Sequence, residues 1–129
     1  MEEGINLELD ITQLHIGQLI QVKETKEIVK ITAIDSIVNT ILTNPNTPYI
    51  NLKDFQEIPK PKNAFWLVER YNNGETKECG FYAQEKEKND IAILEARDFA
   101  LKKMKDNEDI CKIDIINNFK DINYIQRAK

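Results

Sequence analysis

Along the first half of the chain, apolar residues fall in short runs divided by turn-forming residues. QLIQVKE, EIVKITAID, SIVNTILT and YINL each read as a strand, because β-branched residues dominate them and polar or proline-rich segments bound them. In EIVKITAID, Ile28, Lys30, Thr32 and Ile34 alternate only imperfectly with Val29, Ile31 and Ala33, so both faces are partly apolar, as in a short curved strand of a small barrel. Asn44-Pro45-Asn46-Thr47-Pro48 cannot continue a central strand. Four or five strands with no helix among them predict an SH3-like β-barrel.

The pattern changes after Pro59-Lys60-Pro61-Lys62-Asn63, which reads as an extended, solvated connector. Residues 1–58 then form one module and residues 64–129 another. AFWLVERY, NNG and ETKECGFYA predict a hairpin, since Asn73-Gly74 suits the positive φ angles of a tight turn. Two registers are open. A two-residue Asn73-Gly74 loop sets Trp66 opposite Phe81, Val68 opposite Cys79 and Glu69 opposite Glu78, whereas a three-residue NNG loop sets Glu69 opposite Lys77 and removes the like-charge contact. Cys79 and Phe81 share a face in both.

NDIAILEARDFALKKM carries helical periodicity, with Asn89 or Asp90 as cap, an end near Asp106-Asn107, and Lys102, Lys103 and Lys105 complementing the C-terminal dipole. ICKIDII alternates Cys111, Ile113 and Ile115 against Lys112 and Asp114, as a strand with one buried face does. The order is β-β-α-β, a sheet with one helix across it, and the whole chain is α+β. The tail FKDINYIQRAK reads as a further strand or a helix, and Phe119, Ile122, Tyr124 and Ile125 imply that it docks.

His15-Ile16-Gly17-Gln18-Leu19-Ile20, then Val29-Lys30-Ile31-Thr32-Ala33-Ile34, then Ile50-Asn51-Leu52-Lys53-Asp54-Phe55-Gln56-Glu57-Ile58-Pro59 resemble small proteins of Bacteroidetes and phage genomes. Those open with R-I-G-N-x-V, continue with V-x-x-I, and close with D-I-x-P-I-P. Gln18 stands where that pattern has Asn, and Lys60 where it has Leu. The likeness covers the first half and implies a small β-barrel without assigning an activity.

Composition narrows the function classes. The 129 residues are 41% hydrophobic, which fits a folded protein. The longest apolar runs, such as AFWLV and IAIL, are too short for a spanning helix or a secretory core, and a cytosolic protein with no membrane association is expected. Residues 1–59 carry four Lys against nine acids, and residues 60–129 carry fourteen Lys plus Arg against thirteen. The net charge of −4 disfavours strong sequence-independent DNA binding, which rests on phosphate neutralisation. Abundant Ile, Asn and Lys fit an AT-rich bacterial or phage genome.

No catalytic set emerges. His15, the single histidine, reads as a loop residue without a second ligand or partner beside it. Cys79 and Cys111 lie on apolar strand faces, where cysteine behaves as a small hydrophobe. The four glycines form no phosphate-cradling motif, and acidic pairs such as Glu2-Glu3 and Glu108-Asp109 read as solvated surface. A non-enzyme without cofactor or metal is the expectation.

The helix carries more apolar surface than one core needs. At roughly 100° per residue, Ala92, Ala96, Phe99 and Ala100, flanked by Ile93 and Met104, form one stripe, and Ile91, Leu94 and Leu101 fall outside it. Either the barrel or the tail covers these three, or they contact a protein partner or a second copy in a homo-oligomer. That makes a protein-binding module of adaptor or inhibitor type the leading expectation. The alternative is a nucleic-acid accessory protein using Arg70, Tyr71, Lys77 and Tyr82 on the hairpin of residues 64–83, against the repulsion of Glu69, Glu75 and Glu78. A further alternative is sequestration of a small nucleotide-like ligand between subunits.

Overall fold

A computed structural model describes residues 6–84, 91–118 and 121–128. The chain divides into two compact units, Met1–Pro59 and Lys60–Lys129. In the first, β1 (Leu19–Val22), β2 (Ile28–Asp35), β3 (Thr40–Asn44) and β4 (Phe55–Gln56) form an antiparallel sheet in the order β3-β2-β1-β4. Ile20, Val22, Val29, Ile31, Ile41 and Phe55 make its core. The imperfect alternation of β2 has a local cause: pairing with β3 slips between Ile31 and Ala33. A bulge of this kind inserts one residue and resets which side chains face inward.

Among the described residues the expected SH3-like barrel does not close. The sheet stays open, and β3 meets the returning chain through an isolated bridge between Thr40 and Asn51. YINL is not a strand, because the Asn51 side chain accepts the Lys53 N–H and starts a 3-10 turn over Leu52–Asp54. β4, two residues long, leaves too little ladder to close a barrel.

In the second unit β5 (Ala64–Tyr71), β6 (Thr76–Tyr82), β7 (Ile110–Asn117) and β8 (Ile122–Gln126) form an antiparallel sheet in the order β6-β5-β7-β8, with α1 (Ala92–Asp106) between β6 and β7 in sequence. The molecule is therefore α+β. The presumed connector is no extended linker: Pro61–Asn63 forms a 3-10 turn, and buried Asn63 donates its side-chain amide to the Ala83 carbonyl at 3.0 Å.

The hairpin takes the three-residue loop. Gly74 has φ +89°, its N–H donates to the Tyr71 carbonyl, and the Tyr71 N–H donates to the Glu75 carbonyl at 2.9 Å. Glu69 consequently faces Lys77, and Phe65 faces Phe81. One residue of loop length moves every side chain of a strand to the other face. Trp66 thus pairs with Gly80, not Phe81, and lies on the sheet face away from the α1 core, 4% exposed. Its indole N–H donates to Glu78 Oε1 at 2.6 Å.

Ala92, Ala96, Ala100 and Met104 bury one stripe of α1 against Phe65, Leu67, Ile113 and Ile115, with Ile93, Phe99, Cys79 and Phe81 at its margins. Small residues let the helix backbone approach the sheet closely, and Met fills the remaining gap. The helix begins at Ala92 with Ile91 in the N-cap position, without a side-chain cap. Asn89 and Asp90, expected as caps, lie outside the described residues, as does Phe119. The tail forms strand β8, pinned by Arg127: its Nε donates to the Ile110 carbonyl and its Nη2 to those of Met104 and Asn107. An arginine there satisfies carbonyls that every helix leaves unpaired at its C-terminus.

Candidate partner-binding face of the helix

The three residues expected outside the core are all open to solvent: Ile91 is 56% exposed, Leu94 49% and Leu101 37%. The described tail, as strand β8, does not cover them. Position on the helix explains why. Glu95, Phe99 and Lys103 occupy the shoulder of α1 nearest the hairpin: Glu95 Oε2 accepts the Gln84 N–H at 2.8 Å, Phe99 stacks on Phe81 with centroids 4.7 Å apart, and Lys103 pairs with Glu69 at 2.9 Å. At roughly 100° per residue, Ile93, Arg97 and Leu101 lie on the opposite shoulder, with Leu94 just above. That shoulder is the one toward β7 and β8, both of which α1 contacts. Ile91 precedes the helix with extended backbone, so it borders the patch rather than continuing its helical row.

The hairpin residues expected to touch nucleic acid are not brought together. Arg70 and Tyr82 lie on the face away from α1, at opposite ends of the β5–β6 ribbon, since Arg70 pairs with Thr76 and Ala64 with Tyr82. Arg70 is engaged with Asp114 at 2.9 Å, and the Tyr82 hydroxyl accepts the Lys60 N–H. Tyr71 and Lys77 belong to the other face, where the Lys77 ammonium sits 5.4 Å from the Tyr71 ring centre. Phosphate contact needs cations converging on one surface, and this set divides between two.

Around Glu69 the sheet holds a satisfied polar cluster under the helix. Its carboxylate, 7% exposed, accepts the Tyr71 hydroxyl at 2.8 Å and the Lys103 ammonium. Burial, and then the hydrogen bond to Glu69 and its charge, push the Tyr71 hydroxyl up to about 12. For Lys103, burial pulls downward, but the hydrogen bond to Glu69 and the neighbouring negative groups outweigh it and hold the ammonium above its ordinary value. Burial also raises the Cys79 thiol, against the lowering effect of Lys103. A thiol so raised is the opposite of an activated nucleophile. The arrangement joins helix to sheet and leaves no free acid or base.

His15 is exposed in the loop before β1, and among the described residues no three His, Cys, Asp or Glu side chains converge on a metal-sized site. In the first unit a cleft of about 290 Å³ is lined by Glu8, Leu9, Lys23, Leu52, Lys53 and Phe55. Its lysines are accompanied by Glu24 and Asp54 in the adjoining cleft, so it presents no concentrated positive charge. No described helix is long and apolar enough to cross a membrane.

One exposed apolar feature was not anticipated. Ile37, 91% exposed, and Val38 form the turn between β2 and β3, where a continuous strand SIVNTILT was expected. The signal lies in the residues around them: the Asp35 side chain accepts the Ile37 N–H, and Asn39 takes φ +55°, both habits of Asp and Asn in turns.

Comparison with protein families, with curated proteins and with solved structures found no match for this chain.

Proposed function

We propose that this chain is a non-enzymatic protein-binding module, of adaptor or inhibitor type, that docks a protein against the exposed flank of α1. The observation carrying this reading is that Leu94 and Leu101, with Ile91 beside them, stand in solvent on a helix whose buried stripe is already complete. Apolar side chains grouped on one flank, with Arg97 and Asp98 at the rim, have the composition of a docking surface rather than of scattered exposure. Burying two leucines supplies roughly 3 to 6 kcal/mol of gross hydrophobic gain before association costs are subtracted. Nucleic-acid binding by the hairpin is the weaker reading, since its four residues divide between two faces and Arg70 is committed to Asp114.

A photo-crosslinking residue at position 94, compared with one at exposed Lys53 in the native cells, tests the proposal. A discrete adduct at 94, absent at 53 and lost when Leu101→Glu is added, is the expected outcome. Equal or absent adducts at both positions contradict it.

A further inference from the structure

The sheet of the second unit has two outer strands, and they are built differently. β6 carries Lys77 and Glu78 near its middle and Gly80 beyond them. Charge along an edge is the usual device that stops one sheet from pairing with another. β8 has no such device: Ile122-Asn123-Tyr124-Ile125-Gln126 contains no charge, proline or glycine. Its register with β7 defines what it offers. Arg127 N–H donates to the Cys111 carbonyl and Asn117 N–H to that of Asp121. The hydrogen-bonded pairs with β7 are therefore the odd-numbered ones, and the N–H and C=O groups of Ile122, Tyr124 and Gln126 point away from the sheet. Among the described residues, no hydrogen bond reaches them.

This edge and the apolar flank of α1 are neighbours. β8 and α1 run towards a common end, where Arg127 holds the last carbonyls of the helix. From Leu94 to Leu101 the helix rises about 10 Å, close to the length of three strand residues, also about 10 Å. The leucines thus span the same length as β8, which α1 contacts, on the helix shoulder nearer that strand. An incoming strand finds unpaired main-chain groups beside it and the apolar face of Ile125 next to it, with the helix flank further out.

We propose that the occupant is a second copy of this chain, its β8 pairing antiparallel with β8 so that one sheet runs through both copies and the Leu94–Leu101 flanks meet over the junction. The proposal rests on the reading of the α1 flank as an interface. A two-fold pairing requires a strand that complements itself. With Tyr124 opposite Tyr124 of the second copy, Ile122 faces Gln126 and every outward main-chain group of the strand finds a partner. No like charges are opposed, because β8 has none. On the helix side Asn123 faces Ile125 of the second copy, so the apolar contact of the strands there comes from Ile125, which already packs on the core. Two-fold symmetry also sets Leu94 toward Leu101 across the junction, the isologous arrangement of most homodimers. Strand pairing alone is a marginal contact, and the leucines supply the apolar burial it lacks.

Sedimentation velocity of the full chain over a concentration series tests this. Wild type is expected to dimerise, and Tyr124→Lys, which opposes two ammonium groups on the dyad, to weaken the dimer at least about ten-fold while melting like wild type at dilutions where both are monomeric. In the monomer Tyr124 is exposed, its ring meeting the Lys112 ammonium at 4.5 Å. A measurement on wild type alone guards against a misfolded variant: the amides of Ile122, Tyr124 and Gln126 should gain protection from hydrogen exchange as concentration rises, while those of Thr76 and Glu78 on the β6 edge should not. A wild type monomeric at every concentration, a Tyr124→Lys dimer as tight as wild type, or outward amides indifferent to concentration would overturn the proposal. If Leu94→Glu with Leu101→Glu dissociates a dimer that Tyr124→Lys leaves intact, strand pairing fails while the helix flank stands as an interface. A monomeric wild type that still gives the position-94 adduct rejects the second copy and retains the docking reading.

Discussion

Glu69 shows how single residues bind helix to sheet, and it makes a pH-dependent prediction. Its carboxylate accepts Tyr71 and Lys103 together, and both partners titrate above their ordinary values. A group whose folded pKa is raised adds stability that is complete below its unfolded pKa and is lost as pH climbs through the folded one. For Tyr71 the window runs from 10.0 to about 12, and Lys103 acts in the same direction. Urea melts should therefore give constant stability up to about pH 9, as far as these two groups control it, and a decline above pH 10. Tyr71→Phe should make that decline shallower, and an unchanged slope would show that the hydroxyl is not held as described. Trp66 has a comparable local role on the other face, buried and bonded to Glu78. Trp66→Ala should cost about 3 to 5 kcal/mol in denaturant melts, as buried aromatic truncations do. A cost below about 1 kcal/mol, typical of surface changes, would mean the indole packs against nothing.

At the scale of elements, what could be read from the residues was whatever depends on local periodicity. The buried row Ala92, Ala96, Ala100 and Met104 follows from four-residue spacing, and β7 follows from the Cys111, Ile113 and Ile115 alternation. The hairpin could be located but not registered, because Asn73-Gly74 serves a two-residue or a three-residue loop. The Glu69–Lys77 pairing removes the clash with Glu78 that the shorter loop would create. Where pairing between distant segments decides, the pattern was silent. The strand-rich first half suggested closure, but nothing in YINL reveals that Asn51 caps a 3-10 turn and leaves the sheet open. The candidate site was half legible for the same reason. Periodicity separates Leu94 and Leu101 from the core stripe, yet it cannot say what lies opposite them. Reading Arg70, Tyr71, Lys77 and Tyr82 as one set failed because neighbours along a strand point to opposite faces, a distinction that composition does not carry.

For the molecule as a whole, the helix of the second unit completes its core with one stripe, Ile91, Leu94 and Leu101 remain exposed outside it, and the outer strand β8 carries no charge. The central claim is that this flank is free in the isolated chain and covered when the protein works. Methyl NMR of Leu94 and Leu101 with a soluble paramagnetic agent measures both halves of the claim, in dilute pure solution and then in extract of the cells that make the protein. The account predicts methyl signals strongly broadened by the agent when dilute and shielded from it in the extract. Methyls shielded even in dilute monomer would place the leucines in the core, and methyls broadened equally in both conditions would leave the flank without a partner.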